Sequence, residues 1–164
     1  IERVSMDLRA QVIATMEQLA PLAAQKNIAL SLEMMDPNIN VMADETLLNL
    51  ILSNVIENAI KYTPANGAVS IRCMIQEETA VCTVTDTGLG IPEQEREHVF
   101  QRFYRVGTPQ VQGTGLGLAI VAESLARLSG SIALDTPSAG RGLAVRIQLP
   151  RAMETPFVIT EASA

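Results

Sequence analysis

Between Asp44 and Pro64 the chain reads DETLLNLILSNVIENAIKYTP, with apolar Leu48, Leu52, Val55 and Ala59 at the three- and four-residue spacing of one helical face. Pro64 stops that helix, because proline has no N–H for the next turn. The segments AVSIRCMIQ and TAVCTVTD follow another period: β-branched residues alternate in part with polar ones, and Glu77 and Glu78 leave room for a short turn between them. A turn centred between the two glutamates places Ile71, Cys73 and Ile75 opposite Val84, Cys82 and Ala80 on one apolar side. Patterning elsewhere predicts a helix from about Asp7 to Ala24, strands near residues 28–34 and 41–43, and a helix near 93–103 after Pro92. A glycine-led helix ending near Ser129 and strands near 131–136 and 142–149 complete the order. Helices covering one face of a mixed sheet are the expected architecture. Residues 1–152 read as one domain without internal repeats, and residues 153–164 as a loosely held tail.

Three groups of residues do not serve this core. Asp86 continues the inward face of its strand in line with Cys82 and Val84, so a carboxylate points toward the core. A buried charge needs a partner, and Asp86 either caps the turn DTGLG or faces a polar ligand. On the predicted helix Asn54, Glu57, Asn58 and Lys61 share the face opposite the apolar stripe, with Tyr62 one turn beyond Asn58. A solvated stripe would favour Glu and Lys over Asn, the poorer helix former. An Asn carbonyl is a hard oxygen suited to Mg²⁺. A solvated stripe and a ligand site both fit this pattern. Finally, QGTGLGLAIV sets Gly113, Gly115 and Gly117 at alternate positions before an apolar helix. Such a stretch is either a flexible loop or a phosphate cradle at a helix N-terminus.

Composition narrows the field. The 164 residues are 48% hydrophobic and carry a net charge of −6 without a dense Lys/Arg run, which argues against nucleic acid or an anionic membrane as partner. No apolar run reaches the ~18 residues of a membrane span. The two cysteines fit neither metal spacing nor a disulfide framework, and read as buried thiols in a reducing compartment. The opening IERVSMDL, starting at Ile1, reads like the middle of a longer protein.

Four segments in a definite order carry a resemblance. NVIENAIKYTP resembles the N box, DTGLGIP the G1 box, FQRFYR the F box and GTGLGLAIV the G2 box of the catalytic, ATP-binding domain of bacterial sensor histidine kinases. SAGRGLAVRIQLP is similar to the last strand of these domains, and residues 1–34 to their first helix and strand. The resemblance implies an α/β (α+β) two-layer sandwich, in which a mixed, largely antiparallel sheet of about five strands lies under three helices. It implies ATP and Mg²⁺ as cofactors. By the same resemblance Asp86 accepts from the adenine amine, with Gly88, Gly90 and Ile91 closing on the nucleotide. Asn58 is the implied metal ligand with Asn54 beside it, Lys61 lies near the phosphates and Tyr62 against adenine. Gly113, Thr114, Gly115 and Gly117 border the triphosphate, Leu116 and Leu118 anchor that loop by packing, and YRVGTPQVQ corresponds to the ATP lid, from which Arg105 reaches the phosphates. Asn54, Lys61 and Arg105 are thereby the catalytic candidates, while Phe100 and Phe103 pack beneath the lid.

The implied partners are a histidine-bearing helical hairpin of the same kinase and the receiver domain of a response regulator. The implied place is the cytoplasmic part of an inner-membrane sensor, without direct membrane contact by this domain, and the isolated domain is expected to be monomeric. The single histidine, His98, stands beside the F box and reads as a surface or helix-packing residue, so the phosphoacceptor is expected elsewhere. Gyrase, mismatch-repair and chaperone ATPases of the same fold use a glutamate one turn before the metal asparagine to activate water. Asn54 occupies that position here, and an amide is no general base. Glu57, adjacent to Asn58, keeps an ATPase or serine-kinase reading open, and a catalytically silent nucleotide-binding module is a third alternative.

Overall fold

The computed structural model describes residues 1–102 and 117–153. Asp7 opens helix α1 (Leu8–Gln25) by accepting from the N–H of Ala10 at 3.2 Å, and Asp44 opens α2 (Glu45–Tyr62) by accepting from Leu47 at 3.1 Å. Each carboxylate satisfies one of the donors a helix start leaves unpaired. Pro21 lies inside α1 but on its exposed side, where the carbonyl it deprives of a partner can be solvated. The predicted stripe Leu48, Leu52, Val55 and Ala59 is buried, and Ile51, Ile56 and Ile60 widen it. Full burial of each such aliphatic side chain contributes about 1.5–3 kcal/mol.

Strands β1 (Val4–Asp7) and β3 (Asn40–Ala43) form a small antiparallel ribbon. The main sheet contains β2 (Ala29–Met34), β4 (Ala68–Gln76), β5 (Thr79–Asp86), β6 (Ser131–Asp135) and β7 (Leu143–Pro150), in the spatial order β2-β4-β5-β7-β6. Only β2 and β4 run parallel, so the sheet is mixed and largely antiparallel. The hairpin register is the predicted one: Ile71, Cys73 and Ile75 pair with Val84, Cys82 and Ala80. Both cysteines are buried free thiols with their sulfurs 3.3 Å apart. Helices α1 and α3 (Gly117–Arg127) pack on either side of α2, and the three lie on the face that presents Val69, Ile71, Cys73 and Val84, while Ser70, Arg72 and Met74 look outward from the other. The α3 end is closed by Gly130 N–H to the Leu125 carbonyl at 2.7 Å and Ser129 N–H to Ala126 at 3.2 Å, with Ser129 at φ 60°. This is the hydrogen-bond pattern of a helix C-cap that usually takes glycine.

Two expectations need correction. The helix near 93–103 is, through Arg102, two short 3₁₀ turns, Glu93–Glu95 and His98–Phe100, with Gln101 already extended. Only Val99 is buried among Glu93–Arg102, and a short segment without an apolar stripe cannot offset the cost of nucleating a helix. Strand β1 was not predicted. Its residues are mostly exposed, and it owes its conformation to pairing with β3.

Candidate functional site

Asp86 ends the central strand, with Val69 and Leu143 as its register partners on either side. Only 5% of it is exposed. Oδ1 accepts from Gly88 N–H at 2.9 Å and from Leu143 N–H at 3.2 Å, whereas Oδ2 takes no hydrogen bond from the described residues. One oxygen therefore caps the turn and the other is left for a donor from outside it. Burial raises the Asp86 pKa, and the two backbone donors only partly counter that.

The loop after Asp86 closes through glycine. A side chain on Gly88 would collide with the Tyr62 carbonyl, so the end of α2 abuts this loop. Gly142, at φ 87°, packs its backbone so tightly on the Asp86 carbonyl that no Cβ fits, and it delivers the Leu143 N–H to Oδ1. Ile91 is half-buried against the core and holds the far end of the loop, beyond Gly90.

On α2 the polar face stands clear of the apolar stripe, as its period requires. Asn54 donates Nδ2 to the Leu50 carbonyl at 2.8 Å, which fixes its amide and leaves Oδ1 on the α3 side. A Cβ at Gly117 would lie 3.0 Å from Asn58 Nδ2, 3.4 Å from Asn58 Oδ1 and 3.5 Å from Asn54 Oδ1. The first residue of α3 thus meets both asparagines, and a side chain there would press on the Asn58 amide. One turn on, Lys61 pairs with Glu57 at 3.2 Å, both half-exposed. Tyr62 is 37% exposed at the helix end, and Leu118 is half-buried in the first turn of α3.

Two groupings result: Asp86, Gly88 and Gly90 close on the Tyr62 carbonyl and on Gly142, and Asn54 and Asn58 meet Gly117 at the start of α3, with Lys61 one turn further along α2. Arg105, Gly113, Thr114, Gly115 and Leu116 lie outside the described residues, as does Phe103. His98 is exposed on a 3₁₀ turn. Gly142 and the Leu143 N–H hold Asp86 although the sequence pattern places them only in the last strand; the glycine pair in GRG is their sole signal.

The profile of the histidine kinase-, DNA gyrase B- and HSP90-like ATPases matches residues 43–153, which span every one of these positions. The chain belongs to this family. Its relatives within the family are sensor histidine kinases. RppB of Synechocystis sp. is 39% identical over 137 residues, covering 82% of this chain and 30% of RppB. Among solved structures, the mycobacterial sensor histidine kinase MprB superposes with a TM-score of 0.81 at 30% identity, covering 92% of this chain and 98% of that one. Full-length ShkA, determined in complex with AMPPNP, gives a TM-score of 0.81 at 28% identity over 94% of this chain and 32% of ShkA. The fold is that of histidine kinase catalytic domains, and the domain is an ATP-binding one. Among the described residues no helix is long and apolar enough to cross a membrane.

Proposed function

We propose that this domain binds Mg·ATP between Asp86 and the asparagine pair and donates the γ-phosphoryl group to a histidine on a separate helical hairpin of the same kinase. The receiver domain of a response regulator then takes the phosphoryl group, and the whole protein is an inner-membrane sensor with this domain on the cytoplasmic side. The observation that carries the reading is the division of the site. A carboxylate with one uncommitted oxygen ends the sheet, and two amides and a lysine line the facing helix. An acceptor oxygen suits the exocyclic amine of a purine, while amide and ammonium groups suit phosphates.

The donor set also fits a magnesium ion. The described residues contain no group of three His, Cys, Asp or Glu that could hold a metal alone. A cation here would take the Asn58 amide oxygen together with phosphate oxygens and water, the arrangement Mg²⁺ prefers. Bound there, Mg²⁺ would neutralise phosphate charge. Lys61 adds a cation one turn away, and Arg105 is assigned the same task from the lid. Asn54, at the position where the related ATPases carry their glutamate, cannot take a proton from water. The absence of a base there favours transfer over hydrolysis.

The test is phosphate release by the isolated chain with Mg·ATP. A trace rate is expected, and Asn54→Glu should raise it by supplying a base. Rapid release by the native chain would replace transfer with hydrolysis as the function.

A further inference from the structure

Lys26 follows the end of α1, more than thirty residues before the last turn of α2, yet its Nζ donates to the carbonyls of Ile60 at 2.8 Å and Lys61 at 3.0 Å. These belong to the last turn of α2, whose carbonyls lack i+4 partners; Ile60 has only a long 3.4 Å bond from the Thr63 N–H besides Lys26. The rest of the α1–β2 corner grips the following loop. The Lys26 carbonyl accepts from Asn66 N–H at 2.9 Å, Asn27 Nδ2 donates to Asn66 Oδ1 at 2.8 Å, and Ala29 N–H donates to the Gly67 carbonyl at 3.1 Å. A lysine serving solubility alone keeps its ammonium in water, whereas partial burial pulls the pKa of this one below 10.5.

We propose that Lys26 is a positioning residue of the nucleotide site: as the cationic cap of α2, it sets the helix end that carries Lys61 and Tyr62 against the loop Asp86–Gly90. The inference rests on the ATP-binding reading of this site. Two features make the setting matter. The α2 end has no slack, because the Tyr62 carbonyl lies where a Gly88 side chain would stand. The site is also split between two bodies, with Asp86 on the sheet and Asn54, Asn58 and Lys61 on the helix. A ligand that spans both halves is sensitive to their offset, and a displacement of about 1 Å can cost a hundredfold in a positioned reaction. The carbonyl end of a helix carries about half a negative charge, unfavourable beside a polyphosphate, and the Lys26 ammonium offsets it. Lys26 acts through α2 and is assigned no contact with the ligand.

The experiment measures ATP and adenosine affinities by calorimetry for the native chain, Lys26→Met and Lys26→Arg, with thermal melts of each. Lys26→Met is expected to weaken ATP about tenfold and adenosine less than threefold, because adenosine meets α2 through Tyr62 alone whereas ATP also depends on Lys61 and the asparagine pair. Lys26→Arg, which keeps a charged donor pair, should restore ATP to within threefold of native. A general folding defect would reduce both ligands alike, so the split is the signature of positioning. ATP binding by Lys26→Met within twofold of native, equal losses for the two ligands, or no rescue by arginine would each overturn the proposal. Should the methionine chain fail to fold, Lys26→Gln, which keeps a neutral donor, is read by the same split. Failure of the native chain to bind either ligand would overturn the ATP-site reading itself, a result distinct from any of these.

Discussion

Replacing Asp86 by asparagine exchanges one oxygen for an amide nitrogen and so separates the two tasks of this side chain. The asparagine Oδ1 can still accept from Gly88 and Leu143, so the turn keeps its cap. What is lost is the second oxygen, on the proposed function the acceptor for the adenine amine. The NH₂ group there would oppose another donor. Loss of a hydrogen bond to a charged group costs about 1.5–3 kcal/mol, and a donor left unpaired at a 5%-exposed site adds about 1–3 kcal/mol. Even near the low end of the summed range, about 3 kcal/mol, Kd rises at least roughly a hundredfold. Stability should move the other way. The folded pKa of Asp86 is raised above the ordinary 3.8, so its contribution to stability is fully present below about that pH and is lost as pH rises through the folded value. Asparagine does not titrate, so Asp86→Asn removes this loss, and its urea midpoint at neutral pH should be no lower than native. Calorimetric titration with ATP and urea denaturation at neutral and acidic pH read both effects. A Kd within threefold of native, or a clearly lower midpoint at neutral pH, would refute the division of tasks between the two oxygens.

Asn58→Ala should weaken Mg·ATP at least tenfold while leaving adenosine within about twofold, because the amide serves the phosphate end; equal losses in a paired titration would remove its metal role. Ser129→Gly should stabilise the chain by about 0.5–1 kcal/mol, since an exposed serine held at φ 60° pays for a conformation glycine adopts freely; a thermal melt raised by about 2 °C is the expected reading and a lowered one contradicts it.

The parts of the site legible in the sequence were those fixed by local period. A short turn at Glu77 and Glu78 sets the hairpin register, and parity along β5 then turns Asp86 inward. Helical spacing likewise puts Asn54, Asn58 and Lys61 opposite a stripe that has to be buried. Whatever depends on a distant partner was not legible. Strand β1 is mostly exposed and is defined by pairing with β3, more than thirty residues on. Lys26 reads as an ordinary surface lysine until the α1–β2 corner is seen beside the end of α2. Gly142 acquires its function only from the approach of β7 to the Asp86 carbonyl. The segment after Pro92 misled because acidic residues at a helix start signal initiation, whereas continuation needs a buried face that it lacks.

Transfer to a histidine outside this chain is the central claim, and a single labelling experiment tests it most directly. The chain is mixed with γ-labelled ATP, Mg²⁺ and the histidine hairpin of the same kinase supplied as a separate polypeptide. Label should appear on the hairpin, labile to acid and stable to alkali, weakly because the covalent tether's effective concentration is absent. The same label should vanish with Asn58→Ala, and none should accumulate on this chain, whose single histidine, His98, is exposed on a 3₁₀ turn. Acid-stable label on this chain, or an unlabelled hairpin beside rapid phosphate release, would contradict the account.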